Sequence, residues 1–270
     1  MQTVIILSIS SDIGMALARR YLKDGYRVIG TYRNLSEKIL DLKNEKSCIL
    51  LKCDIKESHQ VKKLFSKLKK LKISWNTFIS CVGEPRPLTP FFSTDFDNWR
   101  NSFELNSVYQ LRVLHALYPL KGKGIVNAIF FAAGGINKAV IDFSAYTLGK
   151  IALVKMCEYL DAEEKNLNIF TVGPGWTRTK THELIIKDPK VSQEKKQQTL
   201  EFLKSGKGTD INYIYECIRW LSDAGKPVVS GRNFALAHDP LQKGKRENLA
   251  KRLKGDNNMY KLRRYGSKIL

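Results

Sequence analysis

Thr3-Val4-Ile5-Ile6-Leu7-Ser8-Ile9-Ser10-Ser11-Asp12-Ile13-Gly14 is the stretch on which the fold turns. Residues 3–9 are a short, largely apolar run rich in β-branched side chains, the pattern of a strand buried on both faces. Residues 8–14 make a serine-rich turn, and Met15 to Asp24 predict a helix. Strand, tight turn and helix in that order form the setting in which a dinucleotide pyrophosphate rests on a helix N-terminus. Ser8 is small enough for the turn, Ser10 and Ser11 offer hydroxyls to phosphate, and Gly14 permits close approach of helix and strand. Asp12 tolerates unusual turn conformations. Its carboxylate would repel a pyrophosphate, so it is expected to turn away and cap the helix.

The same alternation continues down the chain. Further strands are predicted at Tyr26 to Thr31, Cys48 to Leu51, Thr77 to Ile79, Gly124 to Phe131, Asn168 to Val172 and Arg232 to Ala237. Helices are predicted between them at Glu57 to Lys72, Asp95 to Leu117, Tyr146 to Glu164 and Asp210 to Leu221. Strands alternating with helices argue for a parallel sheet covered on both faces. Glu84 to Phe92 holds Pro85, Pro87 and Pro90 and reads as a rigid loop. Residues 180–208 are long, polar and lysine-rich, as expected of a lid or a substrate-binding insert.

Tyr146 and Lys150 stand four residues apart on a predicted helix, hence on one face. A free phenol titrates near ~10. A nearby ammonium favours the phenolate, so Lys150 is expected to draw Tyr146 down towards the range useful for proton transfer. Taken alone, a Tyr and a Lys at this spacing are more simply an exposed helix face.

Their surroundings resemble the short-chain dehydrogenase/reductase family from residue 1 to about 240. The marks are the first strand and its turn ending Ile13-Gly14, then Cys53-Asp54-Ile55, Ser80-Cys81-Val82-Gly83, Asn106, Tyr146 with Lys150, and Pro174-Gly175 followed by Thr179. The resemblance implies one α/β domain, a Rossmann-type doubly wound parallel sheet of about seven strands in the order 3-2-1-4-5-6-7. It implies an oxidoreductase in which Tyr146 passes a proton, Lys150 tunes it and holds the nicotinamide ribose, and Asn106 orders a water in a proton relay to Lys150. The cofactor would lie along Ser8, Ser10, Ser11, Asp12, Ile13 and Gly14, then Tyr32 and Arg33, then Asp54 and Ile55. Past the switch in strand order it would meet Cys81, Val82 and Gly83, then Tyr146 and Lys150, then Pro174, Gly175, Thr177 and Thr179. The second strand ends without the acid that NAD-preferring members carry, and Arg33 stands where NADP users place a cation; NADP (NADPH) is therefore expected over NAD. A homo-oligomer, dimer or tetramer, is also implied.

The chain departs from the family pattern in two places. Ser8 and Asp12 occupy positions of two glycines. The serine that usually hydrogen-bonds the substrate oxygen falls on Ala133, or on Ala132 in the register of a subgroup with a Gly-rich stretch, and Ser144, Thr147 and Thr177 are the candidates to replace its hydroxyl. Gly134-Gly135, Ser230-Gly231-Arg232 and the basic extension 241–270 resemble a subgroup found among bacterial surface-polysaccharide and nucleotide-sugar enzymes. The substrate expected from that likeness is an anionic sugar derivative reduced at a ketone. A cofactor-binding protein that has lost catalysis, and an epimerase using transient hydride transfer, are the alternatives.

Composition sets the outer bounds. The chain has 270 residues and a formal net charge of +20. Its lysines and arginines are spread rather than gathered on one motif, so an anionic small molecule is expected and nucleic acid is not. No apolar run approaches the ~20 residues needed to cross a bilayer, and Met1-Gln2-Thr3 leads into a run too short for a signal peptide. The expected compartment is the cytoplasm. Cysteines 48, 53, 81, 157 and 217 show neither disulfide nor zinc spacing. The apolar Leu249, Leu253, Met259, Tyr260 and Leu262 in the basic extension predict that it packs on the body or on a partner subunit.

Overall fold

The computed structural model describes residues 1–189 and 191–264. In chain order the elements are β1 (Thr3–Leu7), α1 (Asp12–Lys23), β2 (Arg27–Tyr32), α2 (Glu37–Leu40), β3 (Cys48–Lys52), α3 (Ser58–Lys70), β4 (Thr77–Ser80), α4 (Phe96–Asn106) and α5 (Val108–Leu117). They continue with β5 (Val126–Phe131), α6 (Ser144–Glu163), β6 (Leu167–Gly173), α7 (Lys180–Lys187), α8 (Gln193–Ser205), α9 (Ile211–Ala224), α10 (Lys226–Val229), β7 (Asn233–Ala235) and α11 (Arg246–Gly255). The strands form one sheet in the order β3-β2-β1-β4-β5-β6-β7, all parallel. This is the doubly wound sheet expected from the sequence.

Alternation along each strand divides the core in two. Ile5, Leu7, Ile29, Phe78 and Phe130 face α3, α5 and α6. Val4, Ile6, Ile79, Ile129 and Phe170 face α1, α9 and α11. The strands are apolar on both faces because both are covered, so their sequences read as continuous apolar runs.

Two segments differ from their sequence reading. The helix expected over 95–117 is broken at Ser107, whose φ of −142° and ψ of −81° leave the helical region; its hydroxyl turns back to the Phe103 carbonyl at 2.5 Å. The apolar period continues through the break, so pattern alone read one helix. Residues 180–208 form the helical pair α7 and α8, joined to the body through a small apolar cluster of Leu88, Phe143, Ile185 and Val191.

Residues 246–264 lie on the body. Leu249 and Leu253 are buried. The buried Arg232 guanidinium donates to the carbonyls of Leu253 at 2.7 Å, Asp256 at 3.0 Å and Met259, filling acceptors left over at the end of α11. Glu158 on α6 accepts from the Leu262 amide at 3.0 Å. The rest of the basic extension, 265–270, lies outside the described residues.

Candidate active site

In a doubly wound sheet, ligands collect at the carboxyl ends of the strands where the order reverses, here between β1 and β4. Backbone hydrogen bonds tie these ends into one row. The Cys53 amide donates to Tyr32, Ile9 to Thr31, Cys81 to Leu7, and Ala132 to Val172, at 2.8–3.1 Å. Asp54, Arg33, Ser8, Cys81, Ala133 and Pro174 therefore leave neighbouring strands on the same edge.

The first turn is tightly built. Ser8 takes a positive φ of 56°, the conformation that favours glycine. Ser11 caps α1, its hydroxyl accepting from the Gly14 amide at 3.0 Å. A Cβ on Gly14 would lie 2.6 Å from the Ser8 carbonyl oxygen and 2.8 Å from Ser11 Oγ, so only glycine fits. The expectation that Asp12 caps the helix is corrected: Ser11 holds that place. Asp12 instead reaches across the sheet edge, and its carboxylate accepts from the Lys180 amide at 2.8 Å. The carboxylate thus faces the positive end of α7.

Tyr146 and Lys150 lie on α6 opposite Gly83. A Cβ on Gly83 would stand 3.8 Å from Tyr146 Oη and 3.9 Å from Lys150 Nζ. The missing side chain leaves a cradle on which phenol and ammonium converge. Lys150 is buried and donates to the Val82 carbonyl at 2.7 Å. Burial holds its ammonium down at about 7 and pushes the Tyr146 phenol up to about 12. This corrects the expectation that Lys150 lowers Tyr146. Burial desolvates both charged forms, and the ammonium turns to the Val82 carbonyl with its Nζ 5.8 Å from the centre of the Tyr146 ring.

Asn106 is fully buried at the end of α4. Its amide nitrogen donates to the Glu84 carbonyl at 2.8 Å and the Ser102 carbonyl at 2.9 Å, and its oxygen accepts from the Glu84 amide at 3.2 Å. These bonds make Asn106 a clamp on the loop leaving Gly83. Gly149 makes the clamp possible: a Cβ there would lie 2.9 Å from Asn106 Cβ and 3.0 Å from the Phe103 carbonyl.

Sequence reasoning missed a second layer. The fully buried Gln110 accepts from Ser80 Oγ at 2.7 Å and donates to the Leu105 carbonyl at 3.1 Å and the Val82 carbonyl at 3.5 Å. It thereby positions the carbonyl that receives Lys150. An amide in the apolar stripe of α5 was the available signal, since a buried polar group needs partners.

Of the three candidates for the missing hydroxyl, Ser144 accepts from Trp99 Nε1 at 3.0 Å. Thr147 packs against Gly135. Thr177 is buried, and its hydroxyl has no hydrogen-bond partner. Arg33 and Gly175 are exposed, while Tyr32, Asp54, Pro174 and Thr179 are half-buried. Asp54 accepts from the Lys56 amide at 3.0 Å, and Ile55 is buried with its carbonyl accepting from Arg112. Thr179 caps α7 reciprocally with His182.

The turn at Ser8–Gly14, the cradle at Gly83 and the orphaned Thr177 hydroxyl are together suited to a long, polar, phosphate-bearing ligand lying along the strand ends. A family model described as enoyl-(acyl carrier protein) reductase matches residues 9–236, most of the chain. The chain belongs to the short-chain dehydrogenase/reductase family. A dehydrogenase/reductase SDR family protein 7-like from Dictyostelium discoideum is 26% identical over 198 residues, covering 67% of this chain and 61% of the relative. The chain thus spans less than two thirds of that short-chain dehydrogenase/reductase. Among solved structures, one from Saccharomyces cerevisiae superimposes with a TM-score of 0.81 at 19% identity, covering 90% of this chain and 98% of its own. The Pseudomonas aeruginosa RhlG/NADP active-site complex gives 0.73 at 19%, covering 87% and 94%. At such identities the likeness is one of fold. Among the described residues no helix is long and apolar enough to cross a membrane, and no His, Cys, Asp and Glu group is arranged to hold a metal ion.

Proposed function

We propose that this chain is an NADPH-dependent ketoreductase acting on an anionic sugar derivative in the cytoplasm, as a homo-oligomer. The observation that carries the reading is the convergence of Tyr146 Oη and Lys150 Nζ on Gly83, 3.8 and 3.9 Å from where a Cβ would lie. A nicotinamide bound there supplies hydride; the protein supplies position and a proton. Ser10, Ser11 and the N-terminus of α1 suit the pyrophosphate, Gly14 and Ser8 shape the turn beneath it, and Arg33 suits a 2′-phosphate.

The elevated Tyr146 phenol stays protonated at neutral pH, the form that can donate from Oη to a carbonyl oxygen as it becomes a hydroxyl. Lys150, anchored at Val82, would be the residue to hold the nicotinamide ribose. A negatively charged ligand nearby would restore its ammonium and ease Tyr146 towards proton transfer. Thr177 offers an unengaged hydroxyl where Ala132 and Ala133 offer none. The sugar and its charge are supported by the net charge of +20 and the polar segment over the strand ends. The alanines favour a second reading, a cofactor-binding protein without turnover.

Tyr146→Phe separates the two. With NADPH and a panel of phosphorylated and nucleotide-linked keto-sugars, the substitution should lower kcat by about 10²–10⁴, the usual range for losing a positioned acid. NADPH affinity by fluorescence titration should hardly change. Undiminished turnover in the variant would overthrow the mechanism, and NADPH binding with no turnover of any ketone would favour the second reading.

A further inference from the structure

Lys195 projects from α8 between two aromatic rings, 5.5 Å from the centre of Phe143 and 5.3 Å from that of Trp176. Phe143 is the residue before α6, three before Tyr146. Trp176 follows the Pro174-Gly175 turn and packs against His182 and Phe202, with ring centres 5.6 and 4.8 Å away. The Lys195 ammonium therefore stands at the seam where the α7–α8 segment meets the end of β6 and the start of the Tyr146 helix. The loop after β4 joins the same seam through Leu88, which clusters with Phe143, Ile185 and Val191.

An ammonium carries three N–H donors. Aromatic faces offset part of its charge, but they do not replace an oxygen acceptor. Three other lysines that are not fully exposed have one: Lys150 the Val82 carbonyl, Lys226 the Asp161 carboxylate, Lys155 the Glu158 carboxylate at 2.9 Å. Among the described residues no hydrogen bond or ion pair engages the ammonium of the half-buried Lys195. Its desolvation shows in a pKa below the ordinary lysine value, with the neighbouring Glu194 only partly opposing. A cation that is half out of water, walled by rings and short of an acceptor is a seat for an anion's oxygens.

We infer that Lys195 grips the anionic group of the substrate, a phosphate or a carboxylate, and so sets the acidic substrate class of the Tyr146 site. The inference rests on the ketoreductase reading, and its test uses binding and not turnover, so that each fails separately. With NADP⁺ present, so that no ketone can be reduced, dissociation constants are measured by ligand-observed NMR in two arms. One arm compares fructose 6-phosphate with fructose, the other acetoacetate with methyl acetoacetate; the arm that responds identifies phosphate or carboxylate.

In wild type the charged member of one pair should bind about tenfold more tightly, in keeping with one charge-assisted hydrogen bond. Lys195→Met should erase that preference and leave the neutral member unchanged. Lys195→Arg should keep the preference, which guards against mere damage to α8. The inference is overturned if neither arm shows a preference in wild type, or if the preference survives Lys195→Met. It is equally overturned if Lys195→Met weakens both members of a pair alike, the mark of a lysine that only pins the two rings.

Discussion

The floor of the site and its roof are built on opposite plans. In the floor, where β4, α4, α5 and α6 meet, nearly every polar atom is spoken for: Asn106 holds both backbone groups of Glu84, Gln110 holds Ser80 and Val82, and Val82 holds Lys150. Backbones approach so closely that Gly149 admits no Cβ. In the roof, made by residues 132–143 and 176–208, groups lack partners. Thr177 has an unengaged hydroxyl and Lys195 an unengaged ammonium, and a Cβ on Gly134 would meet nothing within 4 Å. Buried networks that are fully satisfied rigidify what they hold. Unsatisfied groups in a cleft await a ligand. On the proposed function, the floor would fix the geometry of proton transfer and the roof would choose what enters.

The largest effect that could break this contrast concerns Lys150. Its ammonium titrates at about 7 in the folded protein against 10.5 for an ordinary lysine. Between those values the unfolded chain carries a proton that the native protein lacks, so native stability rises with pH across the window, and below it the cost of burying the charge is felt in full. From pH 7 to pH 9 the gain should approach ~2–3 kcal/mol for this one group. Replacing it by methionine removes the charge and most of that slope. Urea denaturation of wild type and Lys150→Met at both values is the measurement; parallel pH dependence in the two proteins would show that the floor does not bury a charge.

Glycine substitutions give a smaller and more local contrast. In a helix interior alanine gains up to about 1 kcal/mol over glycine. At Gly149 that gain is opposed by a Cβ pressed to 3.0 Å on the Phe103 carbonyl and 2.9 Å on Asn106, and overpacking of this kind costs about 1–3 kcal/mol. The net change should be destabilising, a fall in Tm of several degrees, because a backbone oxygen cannot swing aside. Gly134→Ala should shift Tm by no more than experimental scatter. Equal behaviour of the two variants would erase the distinction between packed floor and open roof.

Much of the floor was legible in the sequence, because its signals are local. The run Thr3–Leu7 reads as a strand buried on two faces, and the four-residue spacing of Tyr146 and Lys150 puts them on one side of α6 whatever else the chain does. What escaped was set by distant partners. Asp12 finds Lys180 across 168 residues of chain, so an expectation drawn from its own turn assigned it the cap that Ser11 makes. The elevation of Tyr146 follows from what covers it, which no spacing reveals. The break at Ser107 hides inside an unbroken apolar period. Lys195 lies in a lysine-rich stretch with nothing local to single it out; the rings beside its ammonium, Phe143 and Trp176, stand 52 and 19 residues before it in the sequence.

The smallest effect lies at the far end of the strand row, at Arg33. It is exposed beyond β2, beside the end of β3 with Asp54, and no acid stands at the strand end to hold a ribose 2′-hydroxyl. A guanidinium there can grip a 2′-phosphate through two oxygens, but in open solvent the gain is modest and screened by salt. Arg33→Ala should therefore weaken NADPH binding by about tenfold, near the strength of one charge-assisted contact, and leave NADH binding where it was. Fluorescence titrations of both cofactors at low and high salt would read this, with the NADPH preference shrinking as salt is added to wild type and flat in the variant. Because Arg33 touches neither Gly83 nor Tyr146, kcat at saturating NADPH should hold. Equal losses for the two cofactors would mean that Arg33 supports the turn itself, and the choice of cofactor would then have to be sought among the serines of the first turn.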